Sequence, residues 1–291
     1  MWGASATEIR KVQFPACCTR ACTLARSLGD NQRVIGAALN SDLSSRVTHE
    51  KAASNDGDVY VHTAHLHRRF SHVFLCPNAV YTDRLFDATL ADVAQGRFVL
   101  EYGCFKGWSI PALAKCEPRR ILGIDISENA IAEAKQKHGS VADFGVMDCH
   151  RLALADESLD VVVGRAILHH LDFDAAIREV RRVLKPGGHA VFIEPLRDNP
   201  AGKLVRLLTP RARTRDELPL SRAQIRRADS LFGESRHFFS GLVSVGCGMV
   251  SPLVSRNPAN AVMRLAHRLD LKLASSPLKW WMRMVVLCWR K

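Results

Sequence analysis

Glu101 and Asp125 are the residues whose types and spacing are best suited to chemistry. In FVLEYGCFKG (98–107) an apolar β-like run ends in Glu101 and breaks into the turn Gly103-Cys104-Phe105-Lys106-Gly107. A helix-like segment, Trp108 to Lys115, follows directly. Strand, glycine turn and helix in succession let backbone come close to a nucleotide-type ligand. Asp125 ends the next apolar run, ILGID, about 20 residues on, the reach of a carboxylate that takes a pair of ribose hydroxyls.

The elements around these acids alternate. Residues 97–101 read as strand, 108–115 as helix, and 120–125 as strand; Ser127 is placed to cap a helix running to His138. Strands are expected at 141–147 and 160–165, a helix at 174–184 closed by Pro186 and Gly187, and a fifth strand at 189–194. Such alternation predicts an α/β fold, a parallel sheet with helices on both faces. Before it, residues 59–95 read as a helical cap, with LFDATLADVA (85–94) apolar at helical spacing. Residues 1–58 carry little pattern and read as a disordered or targeting-like leader; the first 28 are poor in acids, in the manner of an organellar transit peptide. Residues 96–291 are expected to form the main domain, with 196–240 a mostly helical insertion after the fifth strand.

With 291 residues, 47% hydrophobic, the chain is long enough for a full core. No run approaches the roughly 20 apolar residues of a membrane span. Trp280–Trp281, beside Lys279 and Arg283, are a candidate peripheral membrane contact, with core packing the plainer reading. The nine cysteines show no CxxC or Cys/His quartet, so no disulfide framework or metal is expected, and a reducing, cytoplasmic setting fits. His62, His65, His67 and His72 have metal-like spacing but no accompanying carboxylate or cysteine, so they read as a basic helix face. The net charge is +12, and residues 197–236 hold ten Lys/Arg against five Asp/Glu, densest in RARTR (211–215). That stretch is either a solvated basic face or part of a lid meeting an anionic group through Arg211 and Arg213.

The glycine turn, ILGIDISENAIAEAKQK, FGVMDCHRLALADESLDVVVGRAILHHL and IREVRRVLKPGGHAVFIEP, in that order, resemble the motifs of class I S-adenosylmethionine (SAM)-dependent methyltransferases. The likeness is nearest to the branch with the ubiquinone and menaquinone methyltransferases and many small-molecule enzymes. It covers residues 97 to 195 and implies a Rossmann-like, mostly parallel seven-stranded sheet, for which 237–245, 261–274 and 282–290 can supply the remaining strand, helix and final strand.

By that resemblance, Glu101 accepts from the methionine ammonium, Gly103, Cys104, Phe105 and Gly107 bring backbone to the ligand, and Asp125 takes the ribose hydroxyls. Ile126 packs on the adenine, Asp148 accepts from its amine with Cys149 supplying backbone, and Arg165 lines the cofactor. His169 and His170 border the methyl-transfer pocket as candidate bases, His169 preferred, and Glu194 is a candidate acceptor contact. The implied partner is a small organic acceptor methylated at O or C, anionic if the RARTR knot has a purpose, with S-adenosylhomocysteine as product. Oligomeric state is not legible here. The positive charge motivates a rival, a nucleic-acid methyltransferase; GRAILHH is not the N/D-P-P-F/Y signature for holding a flipped base, which argues against it. Phe105 stands where the family usually has glycine and motivates a second rival, a binding protein on this fold. A Phe there is expected to keep a negative φ.

Overall fold

The central apolar runs become strands because they are rich in Val, Ile, Leu or Phe and are covered on both faces. The computed structural model describes residues 44–53, 55, 58–209, 214 and 216–291. Its strands are β1 (Phe98–Tyr102), β2 (Arg120–Asp125), β3 (Asp143–Val146), β4 (Leu159–Arg165), β5 (Leu184–Pro195), β6 (Glu234–Ser240) and β7 (Met284–Arg290). They form one seven-stranded sheet in the order β3-β2-β1-β4-β5-β7-β6. β1 to β5 run parallel, and β7 lies antiparallel between β5 and β6. The expected α/β architecture is the one that forms.

Successive strand side chains enter opposite cores. Leu100, Val162, Phe192 and Leu287 face the helix Phe173–Val183. Val99, Val161, Val191 and Val286 face the other layer, with Phe86 and Leu90 of the helix Pro77–Ala94. The helix Phe173–Val183 forms because Phe173, Ala176, Ile177, Val180 and Val183 recur on one face, and all are buried. Asp172 caps it, accepting from the Ala175 N–H at 2.8 Å. Ser127 caps the helix Glu128–His138 as expected, accepting from the Ala130 N–H at 3.1 Å.

Two expectations shift. The stretch 196–240 is helical at Pro200–Leu208 and Arg222–Asp229, but its last seven residues are β6. They pair with β7 from Glu234↔Arg290 to Ser240↔Met284, so the strand expected at 237–245 forms at 234–240 and shortens the insertion. Within 1–58, expected to be a patternless leader, residues 44–53 are helical. Polar contacts hold this segment across the cleft. Arg46 donates to the Asp216 carbonyl at 2.8 Å, His49 Nδ1 meets Asp216 Oδ2 at 2.9 Å, and Lys51 pairs with Glu128 at 2.5 Å. Such long-range polar partners leave no periodic apolar signal to read. No helix among the described residues is long and apolar enough to cross a membrane.

Candidate active site

Parallel strands deliver their C-terminal ends to one edge of the sheet, and β1 and β4, side by side, feed connections that leave in opposite directions. This is where ligands bind in open α/β sheets. Here that edge opens into a cavity of about 1040 Å³ lined by Glu101, Phe105, Asp125, Ile126, Asp148 and His169, among others. Small-molecule pockets run from roughly 300 to 1,000 Å³, so this cavity stands at the top of that range.

Glu101, near the end of β1, is 4% exposed. Burial pushes its carboxyl up to about 7, opposed by a hydrogen bond from Ser109 and the charge of Arg165, and aided by Asp125. Its Oε2 is buried and has no hydrogen-bond partner among the described residues. A buried acceptor left in this state is costly unless a donor completes it. The ammonium of the cofactor's methionine part is such a donor, so the residues present fit the cofactor the resemblance implies. Asp125, at the end of β2, is also buried, and burial raises its carboxyl against the bonds it accepts. Its Oδ1 accepts from the Ser127 N–H at 3.0 Å, and its Oδ2 from the Phe105 N–H at 2.9 Å. The Ile126 N–H also bonds to this carboxylate, which keeps acceptor capacity for a further donor.

The glycine turn is built around those bonds. Gly103 and Gly107 have φ of +71° and +73°, and a Cβ on Gly103 would lie 2.4 Å from the Ile167 side chain. Cys104 is buried and ties the turn to β2, its N–H donating to the Ile124 carbonyl at 2.7 Å. Phe105 departs from the negative φ expected of it and sits at +47°. The left-handed backbone goes with an amide directed at Asp125, at a cost of about 1–2 kcal/mol for an L residue. Its ring meets Trp108 edge-on, with centroids 5.0 Å apart.

Asp148, just past β3, is held by His150. Its Oδ1 accepts from the His150 N–H at 2.8 Å and from His150 Nδ1 at 2.7 Å, while His150 Nε2 accepts from the Asp172 N–H at 3.0 Å. Those partners fix the tautomer of His150. Burial raises the Asp148 carboxyl, but the His150 bonds outweigh it and the net shift is downward. Cys149 is buried, and its carbonyl accepts from the Tyr102 hydroxyl. Arg165 lines the cavity, yet its guanidinium pairs with Asp83 at 2.6 Å and Asp87 at 3.4 Å on the helix Pro77–Ala94.

The histidines sit on a single 3-10 turn, Leu168–His170. Glu194 is fully buried on β5. One of its oxygens, Oε1, accepts from the Ile167 and Leu168 N–H groups at 2.8 Å each, and the other, Oε2, accepts from His169 Nδ1 at 2.7 Å. A proton on Nδ1 leaves Nε2 of His169 as the basic atom, 3.9 Å from Glu217 Oε1. Glu194, expected as an acceptor contact, is therefore an orienting group for His169. His170 turns to the segment 44–53, with its Nδ1 3.2 Å from Glu50 Oε2. Burial works against a charge on His170, but the hydrogen bond and charge of Glu50, with Glu217 and Glu194, raise its pKa overall. Ligating atoms of His169, His170 and Glu217 lie within 4.8 Å of one another, a metal-type grouping that the sequence pattern does not reveal.

Arg211 and Arg213 lie outside the described residues. Of the earlier histidine group, His72 is buried, with ring nitrogens 3.1 Å from Ser251 Oγ and 3.3 Å from the Arg256 carbonyl, which makes it a satisfied core histidine. Trp280 packs edge-on against Phe239, centroids 5.0 Å apart. Glu50, Glu217 and Arg283 also line the cavity, and no motif marks them in the sequence.

Parts of the chain resemble known proteins. Residues 100–192 match a family model described as a methyltransferase domain. A demethylmenaquinone methyltransferase of Staphylococcus aureus is 35% identical over 108 residues, 35% of this chain and 44% of its own length. A fatty-acid O-methyltransferase of Mycolicibacterium smegmatis is 30% identical over 118 residues, 39% of this chain and 43% of its own length. The chain thus spans less than half the length of these curated relatives. Among solved structures, the complex of the Haloferax volcanii Trm112 methyltransferase activator with the chain described as its methyltransferase aligns at a TM-score of 0.54. That alignment covers 82% of this chain and 96% of that one at 17% identity, a likeness of fold. The matched residues run from β1 to β5 and contain Glu101, Asp125, Asp148 and His169. Residues 100–192 thus resemble a methyltransferase domain, set in a seven-stranded sheet with the class I methyltransferase fold.

Proposed function

We propose that the chain is a SAM-dependent methyltransferase acting at O or C of a small organic acceptor. In this reading residues 96–291 form the catalytic domain, and 59–95 and the helical part of 196–240 shape the acceptor side. The observation that carries it is the buried, unpartnered Oε2 of Glu101, in one cavity with Asp125, Asp148 and His169. When bound, SAM supplies an electrophilic methyl carbon and leaves as S-adenosylhomocysteine. Glu101 accepts from the ammonium, and Asp125 takes the ribose hydroxyls through charge-assisted bonds that fix the sugar. Ile126 packs on the adenine, whose amine donates to Asp148 beside Cys149.

For a hydroxyl acceptor, His169 Nε2 takes the proton as the nucleophile forms, and Glu194 steadies the resulting imidazolium. His170, drawn to Glu50, is less suited to that task. The helical segment 44–53 and the cap exclude water and hold the acceptor in line, which supplies most of the rate in such a displacement. The test is calorimetric titration with SAM and S-adenosylhomocysteine. Micromolar binding that is lost in Asp125→Ala is expected. Absence of binding at millimolar ligand refutes the reading, and recovery in Phe105→Gly would then mark a methyltransferase fold that has given up its cofactor.

A further inference from the structure

Three acids and one guanidinium stand at different strand ends of the cavity. Glu101, Asp125 and Asp148 stand at the ends of β1, β2 and β3, whereas Arg283 immediately precedes β7, on the far side of β4 and β5. Because β7 is antiparallel, its beginning lies where the parallel strands end, with Met284 beside Pro195. The backbone of Arg283 is pinned there. Its N–H donates to the Ser240 and Gly241 carbonyls at 3.0 Å each, and its carbonyl accepts from the Leu196 N–H at 2.8 Å.

The guanidinium lies 5.1 Å from the centroid of the Phe74 ring. No described residue accepts a side-chain hydrogen bond from it, and the acid that acts on it, Asp83, is already paired with Arg165 at 2.6 Å. Arg46, another arginine of the cavity wall, donates to the Leu171 and Asp216 carbonyls. Burial depresses the pKa of Arg283, the mark of a cation that is poorly compensated. The cavity wall includes the apolar Val73, Phe74, Ala79, Val205, Val245 and Met284, together with the polar His67, Thr82, Asp83 and Asn199.

We propose that Arg283 anchors an anionic group, a carboxylate or a phosphate, on an elongated and otherwise apolar acceptor whose reacting atom lies at His169. This rests on the methyl-transfer reading of the same cavity. Val285 pairs with Glu194, and Arg283 lies two residues beyond it. Strand spacing and rise put the Cα atoms of Glu194 and Arg283 roughly 8 Å apart. The anion is an anchor remote from the chemistry, and the methyl group goes to another atom. Reversed binding would bring the anion against Glu50, Glu217 and Glu101, a like-charge clash that selects one orientation.

The test uses the full chain saturated with S-adenosylhomocysteine and three probes of one length: decanoate, decyl phosphate and decanol. Calorimetry is expected to show both anions binding about tenfold to a hundredfold more tightly than decanol, the worth of a charge-assisted bond. Arg283→Gln is expected to erase that preference while S-adenosylhomocysteine affinity stays unchanged, and Arg283→Lys to keep part of it. Preference for one anion over the other tells carboxylate from phosphate. Equal binding of decanol and the anions to the wild-type protein, or an undiminished preference in Arg283→Gln, overturns the assignment. The two failures are separable: loss of S-adenosylhomocysteine binding in wild-type protein refutes methyl transfer, whereas indifference to charge in a protein that binds it refutes Arg283.

Discussion

Glu101→Gln is expected to stabilise the cofactor-free protein and to weaken its hold on S-adenosylhomocysteine. Both effects come from one buried carboxyl, shifted from 4.5 to about 7, chiefly by burial. An acid raised on folding holds its proton more tightly in the folded state, so stability falls as pH rises from about 4.5 to about 7. The penalty over that interval is roughly 3 kcal/mol, at about 1.4 kcal/mol per pH unit. Glutamine has no such ionisation. Urea denaturation of both proteins without cofactor is expected to show the variant gaining with pH, from under about 1 kcal/mol at pH 5 to about 3 kcal/mol at pH 8. Calorimetry at pH 8 is expected to show S-adenosylhomocysteine bound on the order of tenfold to a hundredfold more weakly, the loss of one charge-assisted bond. A stability gap that does not change with pH would mean that Glu101 ionises as freely as in water. Unchanged affinity would mean that its orphaned oxygen does not meet the ammonium. Either result breaks the reasoning.

Glu194→Ala removes the acceptor for two backbone amides and His169, and a denaturation midpoint should report a loss of several kcal/mol, at about 1–3 kcal/mol for each stranded donor. Glu194→Gln keeps the shape, and kcat is expected to fall on the order of a hundredfold with KM for SAM unchanged, as when a general base is mis-set. Phe105→Asn should leave the melting temperature unchanged or raised because Asn accepts positive φ, whereas Phe105→Val should lower it because a β-branched residue tolerates that region less well than Phe. The segment 44–53 should resist proteolysis best in a middle pH range. Burial opposes the charge of Glu50, but His170 and then Thr214 lower its pKa overall, so its support is lost as pH falls through that lowered value; support from His170 is lost as pH rises through its raised value. Equal cleavage at pH 7 and pH 9 would count against that pairing.

The acids at the cofactor end are legible because a local pattern fixes each of them. A run of Val, Ile and Leu shows where a strand stops, and in a parallel sheet every stop lies at the same edge, so Glu101, Asp125, Asp148 and Glu194 all fall at the site. What Glu194 does there depends on β5 lying beside β4, with Ile193 against Arg165, which brings it under the histidine turn. Phe105 shows a local rule overridden: sterics favour negative φ, yet its amide is bonded to Asp125 from the left-handed region. Glu50 is invisible in the sequence because it arrives on a helix from outside the sheet, through polar contacts to residues far along the chain. Arg283 escapes for a topological reason. Searching the ends of strands looks at the wrong end of β7, since an antiparallel strand inserted between β5 and β6 brings its beginning to the active edge. The two halves of the cavity therefore come from different kinds of information, strand ends for Glu101, Asp125 and Asp148 and strand insertion for Arg283. Substitutions at residue 101 should move cofactor affinity, and those at residue 283 should move acceptor choice, with little cross-effect between them because contacts without shared partners add independently.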